Sequence, residues 1–239
     1  MTLALWLLIY LLLTYALGKL YEVIVGWTTV RLVFYPGMLV AAGGRLLACL
    51  VAQQNKSKVD LMRPGGPTDG DPPAGGAVFR FLYSIGPFVA CIFAFLLCWT
   101  LALDEPFDAP KLPRLAMEIS AVGDGASAVG NQLNEVLGQF QDMKVGDWKL
   151  WAALYLGFAL TLAPAPGRHD LVAVAGLCGA AGTLTFVLSQ LGVEVVAKGV
   201  YGGAFWESLS LLVGMAALVL VLSALILLPI KFLRSNKEG

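Results

Sequence analysis

Apolar positions in this chain form long unbroken blocks, and the polar residues are gathered between them. Blocks of this length read as helices, because a half-buried strand alternates apolar and polar positions over only a few residues. Crossing a bilayer takes about 20 apolar residues, within a range of roughly 17 to 25. The first block runs from Thr2 to Gly18, where Lys19 and Glu22 interrupt it. Val23 to Phe34 resumes the pattern with Arg31 as its one charge; too short to cross alone, it is expected to lie at the interface or to extend the first helix. Pro36 disfavours helix at Tyr35 and suits the first turn of a new helix, so a second span is predicted from about Pro36 to Ala52, Gly-rich and with Arg45 near its middle. A third runs from Val78 to Leu103, broken only by Gly86-Pro87. Trp148–Ala163, His169–Leu191 and Ala204–Phe232 close the chain. The predicted fold is all-α: a polytopic membrane helical bundle of about six spans.

Two stretches depart from the pattern. Residues 53–77 carry a polar run and then a Pro/Gly-rich one through Gly76, too poor in apolar side chains to order itself. Residues 104–147 form an insert with acidic side chains at Asp104, Glu105, Asp108, Glu118, Asp124, Glu135, Asp142 and Asp147, against Lys111, Arg114 and Lys144. Apolar or small residues recur through this insert at Leu112, Leu115, Ile119, Val122, Ala126, Val129, Leu133, Val136, Phe140 and Met143. Their spacing alternates three and four, which predicts an extramembrane amphipathic helix with a heptad seam. Gly123, Gly125, Gly130 and Gly138 each weaken a helix by about 1 kcal/mol relative to Ala, so this helix needs a surface to form on. That surface is either the chain's own or a partner's, and the seam is taken as a partner-binding candidate. The segments are therefore N-terminal membrane helices in 1–103, the acidic insert in 104–147, and C-terminal membrane helices in 148–239.

Composition turns this pattern into a class. The 239 residues are 58% hydrophobic and 13% charged, with a mean hydropathy of +0.78, whereas soluble domains approach one charged residue in four. The formal net charge is zero, so no basic field argues for nucleic acid. Cys49, Cys91, Cys98 and Cys178 all lie in apolar blocks without C-x-x-C spacing and read as packing residues. No basic stretch precedes the first block and Thr14-Tyr15-Ala16 is a poor cleavage site, so residues 2–18 are read as a retained span. Placing the basic C-terminal end (Lys231, Arg234, Lys237) in the cytoplasm puts Lys56, Lys58, Arg63, Arg80 and Arg168 there too. Both termini are then cytoplasmic, the insert faces the opposite side, and a bacterial inner membrane is the expected location.

The chemistry-bearing stretch is Arg31 to Ala48, Arg-Leu-Val-Phe-Tyr-Pro-Gly-Met-Leu-Val-Ala-Ala-Gly-Gly-Arg-Leu-Leu-Ala. It resembles the zinc-helix region of site-2-protease-like (M50-type) membrane metallopeptidases, in which Pro-Gly and an apolar residue precede a His-Glu-x-x-His motif. A second point of contact is Leu162-Ala-Pro-Ala-Pro-Gly-Arg-His-Asp170. It resembles that family's Pro-containing turn followed by an Asp, which in active members is the third metal ligand. The resemblance extends in layout over about residues 25–190 and rests on these two short motifs. Two His four residues apart on one helical face hold zinc while the Glu activates water. Here those positions read Ala41, Ala42 and Arg45: no ligand, no base, and a fixed positive charge. His169 is the one histidine, so the pair cannot be rebuilt elsewhere. Two alanines would also fit a deliberate inactivation, but a third change at 45 favours natural loss.

Arg45 is read in two ways. A charge at mid-bilayer costs roughly 2.5 to 3.5 kcal/mol on insertion scales and calls for a partner, with Asp170 the natural candidate across the vanished metal site. Alternatively Arg45 snorkels to the interface, and Asp170 caps its own helix. His169 and Glu207 read as interfacial, and Glu194 with Lys198 as a solvated helical pair. The leading functional expectation is a non-catalytic integral membrane subunit, a pseudoprotease-like scaffold without metal or other cofactor, surrounded by lipid and by other membrane subunits. An intramembrane zinc protease inactivated at positions 41–42 is the alternative. A transporter or channel component ranks third, because no series of ionisable groups crosses the midplane.

Overall fold

The computed structural model describes residues 2–25, 27–53, 76–99, 121–142, 148–165, 168–191 and 204–235, and every regular element among them is helical. In chain order the helices are α1 (Thr2–Ile24), α2 (Trp27–Val33), α3 (Tyr35–Val51), α4 (Ala77–Leu97), α5 (Ala121–Asp142), α6 (Trp148–Leu162), α7 (Arg168–Gln190) and α8 (Ala204–Ser235). Four contain runs long and apolar enough to cross a membrane: Leu3–Ile24, Ala77–Leu97, Asp170–Leu188 and Leu209–Phe232. The chain is thus a membrane-embedded all-helical protein. α3, with 17 residues, is a shorter apolar helix, and α6 has 15.

α1 does not stop at Gly18 as the apolar pattern suggests. It continues to Ile24 because the two interrupting charges satisfy each other: Lys19 Nζ lies 2.6 Å from Glu22 Oε2, one turn away. α4 likewise runs through Pro87, whose missing N–H breaks one rung of the helix without ending it. Buried hydroxyls bond back into their own helices, Thr14 Oγ1 donating to Leu11 O at 2.9 Å and Thr161 Oγ1 to Gly157 O at 2.6 Å. The predicted loop at 53–77 and the seam positions Leu112, Leu115, Ile119 and Met143 fall almost wholly or wholly outside the described residues.

Packing gathers around α8. Every residue from Leu209 to Val219 is buried, and α1, α5 and α6 pack on this helix. Beyond Leu220 the same helix exposes Leu225, Ile226, Leu228 and Phe232. α1 shows the same gradient, with Leu3, Trp6, Tyr10, Leu11 and Leu17 in the core and Val23 exposed. The Tyr21 hydroxyl meets Ser223 Oγ at 3.1 Å. With both N-terminal halves in one core and this bond near the other end, α1 and α8 run in the same direction. α7 runs against α1: Gly182 abuts Ala4, and Gly18 abuts Ala165 just ahead of α7.

Candidate functional site

α3 begins at the predicted place, with Pro36 in its first turn. It buries Gly37, Met38, Ala41, Ala42, Gly44, Arg45, Ala48 and Cys49, a set spaced by three and four that forms one helical face. The three positions where the resemblance would seek the two zinc-binding histidines and the glutamate base are therefore all buried. Ala41 is 2% exposed, Ala42 3% and Arg45 9%.

What fills this face is largely backbone. Gly44 and Gly86 bring α3 and α4 into main-chain contact: a Cβ built on Gly86 would stand 2.6 Å from the Gly44 carbonyl oxygen, and one on Gly44 would collide with the Gly86 carbonyl. At the upper turn, Gly37 meets the Ala159 carbonyl of α6 in the same way. Small residues let membrane helices approach this closely and gain van der Waals contact that lipid cannot supply. Phe34 stacks on Phe158 at 6.4 Å, and the Tyr155 hydroxyl donates to Val33 O at 2.9 Å, so the start of α3 is clamped on α6.

Arg45 sits beside the Gly44–Gly86 contact with its guanidinium carbon 5.6 Å from the centroid of the Tyr83 ring. That is within cation–π range, and desolvation raises the value of such a contact to about 2 kcal/mol. Asp170 lies in the first turn of α7 and is half-buried. Tyr83 of α4 is thus an aromatic neighbour of Arg45. Tyr83 was not flagged by sequence; its signal was a place one turn before Gly86, which carries weight only once Gly86 is known to face Gly44.

Among the described residues no group of three or more His, Cys, Asp or Glu side chains lies together in a way that would hold a metal ion. The cysteines are free thiols, Cys49, Cys91 and Cys178 buried and Cys98 half-buried. The side chain of His169 lies outside the described residues. Tyr10, wholly buried and 5.4 Å from Phe88 ring to ring, keeps a hydroxyl with no hydrogen-bond partner among the described residues.

The insert forms helix where it is described, and α5 packs along α8. The face it turns inward is Gly125, Ala128 and Gln132, with Val129 and Leu133 half-buried beside it, while Ala126 is exposed. That face takes in the seam positions Val129 and Leu133 and extends to the residues just before them. Gln132 belongs to it because Ser210 Oγ donates to its Oε1 at 2.9 Å, so a polar residue enters the core with a partner. The side chains of Val122, Val136 and Phe140 lie outside the described residues.

Comparison with protein-family models, with curated proteins and with solved structures gives no match.

Proposed function

We propose that this protein is a non-catalytic integral membrane subunit, a scaffold laid out like a site-2-protease-type metallopeptidase whose zinc face has been given over to packing. The observation that carries the reading is the buried face of α3, where Ala41, Ala42 and Arg45 lie between the Gly37–Ala159 contact with α6 and the Gly44–Gly86 contact with α4. An enzyme needs room at these positions for two imidazoles, an ion, a water and a peptide bond. In the proposed arrangement α3 and α6 complete six apolar crossings, Arg45 and Asp170 supply opposite charges near Tyr83, and lipid and other membrane subunits surround the bundle. A bacterial inner membrane is the proposed location.

The test is to restore the motif with Ala41→His, Ala42→Glu and Arg45→His and to measure zinc in the purified protein. The scaffold reading expects no stoichiometric zinc, because Ala41 and Ala42 have almost no free surface and larger side chains there overpack the α3–α4 contact. One zinc per chain, with hydrolysis of a membrane peptide, would replace this reading by that of a disabled protease.

A further inference from the structure

α5 poses a problem of depth. Its inward residue Gln132 bonds to Ser210, at the start of the apolar run Leu209–Phe232 of α8. The register of α8 on α1 is set by Tyr21 and Ser223; about 21 Å toward the N-terminus of each helix, Leu7 and Leu209 both lie in the core. Gln132 therefore stands beside the apolar run Leu3–Ile24 of α1, not beyond its end. α5 has 22 residues, a rise of about 33 Å, and Gln132 is near its middle. Packed along α8, it carries half its length through the height that α1 and α8 share, whichever way it points.

With 22 residues α5 is long enough for a crossing. The outer face of this helix is polar: Asp124, Ser127, Asn131, Asn134 and Glu135 are exposed. Hydrocarbon cannot solvate these groups. The helix carries three carboxylates, Asp124, Glu135 and Asp142, and no Lys or Arg, so a second copy of the same face would set like charges together. Cβ atoms on Gly123, Gly130 and Gly138 would meet nothing, which leaves room for close approach by another helix.

We propose that α5 crosses the membrane against α8 and offers Asp124, Ser127, Asn131 and Glu135 to a transmembrane helix of a partner subunit that carries Lys or Arg. The proposal rests on the scaffold reading only in supposing a partner; it uses none of residues 41, 42 and 45. It places the N- and C-termini on opposite sides of the membrane, unlike the same-side arrangement expected from six spans.

Two measurements on the full chain in phosphatidylcholine vesicles test it. Energy transfer from the native tryptophans to dansyl-labelled leucine–alanine peptides reads association with helices bearing one central Lys, Leu or Glu. The Lys peptide is expected to bind about tenfold more tightly than the Leu peptide, an advantage that Asp124→Asn with Glu135→Gln removes. Equal binding of the Lys and Leu peptides overturns the proposal. In a Cys98→Ala background, Asn131→Cys is expected to resist a water-soluble maleimide. Labelling at the rate of a fully hydrated thiol puts the face in water, and spontaneous disulfide dimers make a second copy the occupant; either result defeats the proposal. Neither touches the zinc test, so the two readings fail separately.

Discussion

Arg45 owes part of its place to an aromatic ring. Its guanidinium lies over Tyr83, and desolvated contacts of this kind contribute about 2 kcal/mol. Tyr83→Leu should lower stability by an amount of that order, and Tyr83→Phe, which keeps the ring, by much less; thermal unfolding in detergent distinguishes the two. Asp170 enters through a thermodynamic cycle. Arg45→Ala and Asp170→Ala should each destabilise, and the double variant should recover part of the sum if the carboxylate and guanidinium are coupled. Strict additivity would leave Asp170 as a helix-terminal residue only. Sequence pointed to Arg45 because an ionisable residue inside an apolar block is expensive wherever it falls. It could not point to Tyr83, whose role depends on a crossing of α3 and α4 that no local pattern encodes.

Helix positions were legible from the apolar blocks, and helix faces were not. The blocks beginning at Pro36, Trp148 and His169 became α3, α6 and α7 within a residue or two of their expected limits, since burial in lipid or protein demands continuous apolar surface. The extent of α1 escaped the reading because Lys19 and Glu22 were counted as separate charges, not as the pair they form. The part of the inward face of α5 at Gln132 escaped it, because a polar residue enters the core where a hydroxyl on a distant helix meets it. Ser210→Ala should therefore cost about 1–3 kcal/mol by taking that hydroxyl from the buried Gln132 Oε1. Adding Gln132→Leu should restore much of the loss, as read by urea or thermal melts. The α3–α4 contact gives a sharper contrast between neighbouring glycines. Gly86→Ala must push two backbones apart and should destabilise by about 1–3 kcal/mol. Gly43→Ala meets nothing and should be neutral or slightly stabilising through helix propensity.

Across the whole molecule, parallel α1 and α8 are the feature with the widest reach. With both crossing in the same direction, reporters fused to the two termini should be active on opposite sides of the membrane; activity on the same side would contradict the parallel pairing. That all the elements are helical and that the chain is membrane-embedded were legible from block length and composition. The direction of the last helix relative to the first was not, because charge bias around loops gives only a weak vote on orientation.

The burial of α8 also bears on the order of construction. The segment from Leu209 to Val219 is enclosed by neighbours that precede it in the chain, so it is synthesised after all of them. The faces of α1, α5 and α6 that receive it must therefore stay open until α8 arrives. Expressed as two pieces divided between Gln190 and Ala204, the chain should then assemble inside the membrane, with the second piece acting as a key for the first.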